Sequence, residues 1–290
     1  MPGTPTMVLT GRQRRFFFRR GLRVAVLLML GMLFLFPFYW MLTISIRPAD
    51  QVFTFPPNLL PFPATLNAYA QAWSMQNNWL YTWNTIKIAL CNVILAVLSS
   101  AVVAYGFARI RFPGRDKLFA LVLATMILPG EVLIIPQYLE FNAFGWLNSH
   151  LPLIVPAAFG NPFYIFLIRQ YCMGLPYDLD EAAVIDGCSR LRVFWNILLP
   201  LMVPALITCC VFQFMASWND YLQPLLYLST REQWTLSLGI ASMNSEKLYS
   251  SVNWGHRMAM ATIFSSVPLL IFFLAQKRLI GGIATTGIKG

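Results

Sequence analysis

Six apolar stretches, at about 24–46, 82–107, 118–139, 151–168, 201–228 and 258–276, constrain this chain more than any other feature. A helix needs ~20 apolar residues to cross ~30 Å of hydrocarbon, and these runs are of that order. In lipid every backbone N–H and C=O must be bonded within the protein, so runs of this length are expected to be helices. The expected fold is all-α: a polytopic bundle of six transmembrane helices. Composition agrees, because 58% of the 290 residues are hydrophobic and only 11% charged, whereas a soluble domain carries roughly 25% charged residues. Several runs contain proline: Pro37, Pro129, Pro136, Pro156, Pro162, Pro204 and Pro268. Such breaks are tolerated where neighbouring helices or water satisfy the freed carbonyls; in transporters they often line cavities, and a plain kink is the competing reading at each.

The basic residues give an orientation. Arg12, Arg14, Arg15, Arg19, Arg20 and Arg23 precede the first run. That run exceeds the ~7–15 residues of a signal-peptide core, and no small-residue cleavage site follows it, so a retained helix is expected. With a cytoplasmic N-terminus, the inside segments hold sixteen Lys and Arg: the six above, then Arg109, Arg111, Arg115 and Lys117, then Arg169, Arg190 and Arg192, then Lys277, Arg278 and Lys289. The outside segments hold four: Arg47, Arg231, Lys247 and Arg257. Cytoplasmic loops carry the excess of Lys and Arg, so both termini are expected in the cytoplasm. The net charge of +10 is then a matter of topology, and nucleic acid is not an expected partner. The organisation expected is a basic cytoplasmic segment over 1–23, a six-helix domain over 24–278 and a cytoplasmic tail over 279–290. Loops at 47–81, 140–150 and 229–257 lie outside.

Little points to reaction chemistry. Cys91, Cys172, Cys188, Cys209 and Cys210 show no CxxC pairing and no histidine at metal spacing, so neither a metal nor a disulfide is expected. His150 and His256 are read as surface residues at outer loop edges. Trp40, Tyr81, Trp83 and Trp146 are read as anchors at the membrane interface. Gly282 to Lys289 resembles a phosphate-binding loop only superficially, because Ile288 separates Gly287 from Lys289 and no helix follows.

The most informative segment is cytoplasmic, over 171–200. Pro176 precedes a helix start, where Asp178 is expected as N-cap with Glu181 as its capping-box partner. About eight residues on, Gly187 stands where a helix end requires φ > 0. Ser189 caps a second helix, expected to stop at Pro200. Leu179, Ala182, Ala183 and Asp186 share a face at i, i+3, i+4 spacing, and the alanines leave room for another surface. A helix resting on lipid is the competing reading of this shape.

Glu181-Ala182-Ala183, then three residues, Gly187, nine residues, Ile197, one residue and Leu199-Pro200 resemble the EAA signature of binding-protein-dependent ABC permeases at every position. Phe107 to Gly114, Ile127 to Gly130 and Trp218 to Tyr221 are similar to sugar-importer permeases, in particular the six-helix second permease of maltose- and glycerol-3-phosphate-type systems. The resemblance implies a bacterial inner-membrane subunit whose short helix, through Glu181, Ala182, Ala183 and Gly187, docks into a cleft on an ATPase, with Ile197, Leu199 and Pro200 supporting the elbow. It also implies a second homologous permease, two ATPase chains and an extracytoplasmic sugar-binding protein as partners, besides membrane lipid. ATP and Mg would bind the ATPase chains, leaving this chain non-catalytic and without a cofactor.

Two further groups of residues are candidates. Polar side chains at membrane depth suggest function, so Asn92, Glu131, Gln213, Asn219 and Asp220 are expected along a translocation path. In the tail, Thr285, Thr286 and Lys289 are expected at the ATPase interface, by resemblance to maltose-type permeases, with Gly281 and Gly282 permitting tight turns. A polytopic enzyme would cluster His, Asp, Glu or Ser at one membrane face, and no such cluster stands out. A self-sufficient channel or secondary carrier would leave the EAA segment without a role. An amino-acid or peptide importer is the nearest alternative within the family.

Overall fold

The computed structural model of the chain describes residues 11–56, 59–243 and 251–284, with side chains over 20–56, 59–243 and 254–276. Its helices are α1 (Gly11–Ser45), α2 (Asn67–Met75), α3 (Asn78–Arg109), α4 (Arg115–Ala124), α5 (Ile134–Ala143), α6 (Leu151–Ile154), α7 (Pro162–Met173), α8 (Asp178–Ile185), α9 (Arg190–Val193), α10 (Leu199–Leu201), α11 (Val203–Asn219), α12 (Leu222–Tyr227), α13 (Leu236–Ser242) and α14 (Ser251–Ala284). No strand occurs among the described residues, as the all-α expectation requires.

Four helical spans are long and apolar enough to cross a membrane: Arg20–Ser45, Asn78–Arg109, Leu151–Met173 and Trp254–Gln276. Two more are bent pairs: Arg115–Ile127 with Gly130–Ala143, at 87°, and Arg190–Leu201 with Val203–Asn219, at 76°. The total is six if each bent pair makes one crossing. Proline accounts for the bends. Leu128 is extended (ψ 117), as the residue before a proline prefers, and Pro129 follows. Pro200 and Pro204, neither with an N–H to donate, flank the second bend at Met202. The fourth apolar stretch is also interrupted: it is 3-10 over Val155–Phe159, Gly160 takes φ +85, and Asn161 then caps α7 by accepting from the Phe163 N–H. Pro162 at the first helical position suits that start.

Other expected boundaries shift. Residues 12–23 lie in the opening turns of α1. Helix α14 reaches Ala284, so Gly281 and Gly282 lie in helical backbone rather than in turns. The segments expected as the first and third outer loops contain α2 and α13.

The chain divides into two compact units. In the first (1–72 and 247–262), none of the apolar window of α1 is buried. Arg47 is buried with its guanidinium 5.3 Å from the Trp40 ring centre. His256, expected at the surface, is buried with Nε2 2.9 Å from Gln71 Oε1.

The second unit (73–246 and 263–290) is organised around α3. Ala96, Ser100, Ala104 and Ala108 recur every fourth residue, each no more than 2% exposed. Such a small-residue stripe lets helix backbones approach closely, and α7 and α11 pack on this helix. Leu90, Ile94, Leu98 and Val102, on another face of α3, are exposed. Trp218 is buried, and its indole N–H donates to the Phe264 carbonyl at 3.1 Å. His150, also expected at the surface, is buried, with Nε2–H donating to the Gln233 carbonyl at 2.8 Å. Tyr81 is buried rather than an interface anchor. A Cβ at Gly239 would come within 2.5 Å of the Tyr81 ring, so glycine is required where α13 crosses it.

Candidate functional site

The segment linking α7 to α11 forms a short helix, an elbow and a second helix. Its start differs from the expectation. The Tyr177 carbonyl accepts from the N–H groups of Asp180 (2.9 Å) and Glu181 (3.2 Å), and no side chain caps the helix. Asp178 and Glu181 therefore lie inside the first turn and form no capping box. There, with Asp180, they face the positive end of the helix dipole.

The other end is a Schellman motif. Gly187 has φ +82, its N–H donates to the Val184 carbonyl (3.0 Å), and the Cys188 N–H donates to the Ala183 carbonyl (2.9 Å). A Cβ at Gly187 would meet nothing within 4 Å. The requirement for glycine is thus backbone conformation rather than space, a strain of about 1–3 kcal/mol for a branched side chain. Ser189 caps α9 by accepting from the Arg192 N–H. The second helix does not stop at Pro200. It widens into a π turn over Phe194–Leu198, where the Leu199 N–H donates to the Phe194 carbonyl, and continues through α10 to the bend at Met202. Pro200 supplies no N–H and its ring would crowd the Asn196 carbonyl four residues back; the wider turn accommodates both.

Ala182 and Ala183 do not share an outward face. Ala183 is 5% exposed and belongs to the same buried cluster as Ala104, Ala108, Ile168, Cys172, Val193, Phe194 and Leu198. Ile197 and Leu199 pack against that cluster, while Pro200 is exposed. Glu181 and Ala182 point outward. The segment is therefore continuous with the core of the second unit, in which Ala183 shares a buried cluster with residues of α3 and α7.

A basic clamp that sequence reasoning missed fixes this arrangement. Arg109, at the end of α3, is buried, with Nε 3.4 Å from Asp180 Oδ2. Its Nη2 donates to the Leu175 carbonyl at 3.0 Å, and its guanidinium lies 4.1 Å from the Tyr177 ring centre. The Tyr177 hydroxyl donates to the Ala108 carbonyl (3.0 Å), and the Tyr105 hydroxyl to the Arg190 carbonyl (3.1 Å). Burial pushes the Asp180 carboxyl above its usual pKa, and the Arg109 charge opposes that shift without cancelling it. The signal in the sequence was an aspartate directly before the EAA run and an arginine closing an alanine-striped helix.

The outward surface of α8 is apolar and acidic, and α9 adds the exposed Arg190 and Arg192. Tyr177, Leu179, Val184, Ile185 and Leu191 are exposed, Ile185 to 85%. Asp178, Glu181 and Asp186 are exposed around them. Isolated apolar side chains are ordinary on a surface, but a contiguous group with a polar rim marks an interaction site.

Of the five polar residues expected along a path, two come together. Asn92 Nδ2 and Gln213 Nε2 both donate to Ser217 Oγ, at 3.1 and 3.2 Å, and both residues line one cavity. Glu131 is exposed at the bend before α5. Asn219 donates to the Met215 carbonyl. Asp220 Oδ1 accepts from the Gln223 N–H at the start of α12. None of these three lines that cavity. Thr285, Thr286 and Lys289 lie outside the described residues.

Residues 96–284 match the family model of the binding-protein-dependent transport system inner membrane component, a stretch that includes the whole clamp-and-elbow segment. The chain belongs to that family, the membrane-embedded permease subunits. It is 32% identical over 270 residues to the arabinooligosaccharides transport system permease of Bacillus subtilis, covering 91% of this chain and 93% of that one. It is 30% identical to a diacetylchitobiose uptake system permease of Streptomyces coelicolor, covering 91% and 86%. In fold it resembles a chain from a bacterial ABC transporter involved in the import of the acidic polysaccharide alginate, with TM-score 0.81 and 24% identity over 94% of this chain and 99% of that one.

Proposed function

We propose that this chain is one permease subunit of an ATP-driven importer for a carbohydrate, working beside a second homologous permease, two ATPase chains and an extracytoplasmic binding protein. ATP is hydrolysed on the ATPase chains, which also hold Mg. The observation that carries the reading is the exposed apolar group on α8, held on a segment whose buried side belongs to the core. A force applied to Ile185 and Val184 reaches α3 and α7 through Ala183, Arg109 and Phe194. Closure of the ATPases on ATP binding moves α8, and the bundle passes between inward- and outward-facing states, a two-state equilibrium biased from both ends. The relatives named for arabinooligosaccharide and diacetylchitobiose transport support a saccharide as cargo. Lipid is the weaker partner for α8 itself, whose exposed charges, Asp178, Glu181 and Asp186, are all acidic and would face an anionic leaflet, although Arg190 and Arg192 are exposed on the adjoining α9.

The reading requires both termini in the cytoplasm. Single cysteines replacing Asn67 and Ser245 should react with an impermeant thiol reagent added outside intact cells. Cysteines replacing Asp116 and Asp178 should react only after the membrane is opened. The inverse pattern would put α8 on the wrong side for an ATPase and end the proposal.

A further inference from the structure

The cavity beside Ser217 has a volume of about 260 Å³ and is lined by Asn92, Gln137, Phe141, Asn161, Gln213, Gln223 and Tyr227, among others. Asn92 comes from the middle of α3, and Asn161 from the break where the fourth span is interrupted. Discontinuous helices of this kind place backbone and side-chain polar groups at substrate sites near the bilayer midplane. Five carboxamides therefore converge here, and no lining residue carries a charge.

The amides are only partly satisfied by the protein. Asn92 is 7% exposed, and its Nδ2 is spent on Ser217 while its Oδ1 has no partner. A buried carbonyl left unpaired is unfavourable, and a bound donor would remove that cost. Asn161 Oδ1 is spent on the Phe163 N–H, leaving its amide N–H groups as donors. Gln213 gives its Nε2 to Ser217, leaving its Oε1 as an acceptor. Phe141 and Tyr227 meet edge to face with ring centres 5.3 Å apart and add apolar wall to the same space.

We propose that this cavity is a subsite for one neutral, polyhydroxylated ring of the cargo, so that this chain itself contacts the transported sugar; this rests on the carbohydrate reading above. Hydroxyls both donate and accept, which matches a wall of carboxamides offering both. The aromatic rings suit the apolar face of a sugar ring. The volume lies just under the ~300–1,000 Å³ of ordinary ligand pockets, so the site takes a single ring of a longer cargo. A phosphorylated or uronic ring is excluded, because its anion would lose water and meet no cation on this wall.

The test is uptake by the intact importer in cells, with a neutral saccharide cargo, its singly deoxygenated analogues and an acidic analogue. Wild type should transport the neutral cargo and discriminate against at least one deoxy analogue by about 10-fold, the worth of one well-made hydrogen bond. Gln213→Leu should lower uptake of the parent about 10-fold and bring that discrimination close to one. Gln223→Leu, at an exposed cavity residue, serves the same purpose if Gln213→Leu fails to assemble with its partner chains. Parent uptake and discrimination unchanged in the assembled variants would overturn the subsite while leaving the carbohydrate reading intact. Wild-type uptake restricted to acidic sugars would also overturn the subsite alone. Uptake of no saccharide would overturn both.

Discussion

Ile185→Asp is expected to reduce transport and cargo-stimulated ATPase activity by about 30-fold or more while the chain still inserts and folds. The side chain is 85% exposed, so its replacement removes no internal packing. It follows the exposed Val184 at the end of α8, with Glu181 one turn back and Asp186 next in the chain. An apolar centre with a polar rim is the anatomy of an interface hot spot, where one truncation costs ~2 kcal/mol or more, and ~1.4 kcal/mol is a factor of ten. A carboxylate does worse than truncation, since docking would bury an unpaired charge. Ile185→Val should keep most activity. The measurement is paired uptake and ATPase rates, with co-purification of the ATPase chains as the assembly check. Normal transport by the Asp variant would mean that α8 docks through another face.

Arg109→Ala is the second large effect. It removes the ion pair to Asp180, the hydrogen bond to the Leu175 carbonyl and the cation over Tyr177. Breaking a buried pair by deleting one partner costs about 3–5 kcal/mol, because the other charge stays desolvated. The loss should appear as faster proteolysis between α7 and α9 and as uncoupled transport. It also has a pH signature. Burial already raises the Asp180 pKa above the ordinary aspartate value, and Arg109 is the first of the causes that pull it back down. Without Arg109 the carboxyl titrates higher still. A carboxyl whose folded pKa exceeds its unfolded one destabilises the fold fully above the folded pKa, and that penalty fades as pH falls from the folded toward the unfolded value. The stability deficit of Arg109→Ala relative to wild type should therefore be smaller near pH 5 than near pH 8. A deficit that grows on acidification would contradict the clamp.

The spans and the elbow were legible in the sequence because each rests on a local rule. Apolar run length gives the spans, and Gly187 and Ser189 give the helix end and the next cap. What was not legible depends on tertiary pairing. Ala182 and Ala183 are chemically the same, and only burial in the cluster that also holds Ala108 and Phe194 decides that Ala183 turns inward. Asp178 read as a cap because of its residue type, yet the turn after Pro176 places Tyr177 at that position. Polar residues in apolar runs pointed to Asn92 and Gln213, which share Ser217 and one cavity, but equally to Asp220, whose carboxylate is spent on the start of α12. Gln137, Asn161 and Gln223 escaped notice because each lies at a break or helix end. The Gly160-Asn161-Pro162 turn signal inside an apolar run was the available clue. Arg109 was counted only as a topological charge, since nothing local distinguishes an arginine in a buried clamp from one at the membrane surface.

The central claim is that α8 docks on an ATPase chain. A photoreactive probe attached to Ile185→Cys, in a background lacking the five native cysteines, tests it within the assembled importer. The account predicts a crosslink to an ATPase chain that is lost when Gly187→Val or Arg109→Ala distorts the segment. Crosslinking to lipid alone, in an importer that still transports, would contradict it.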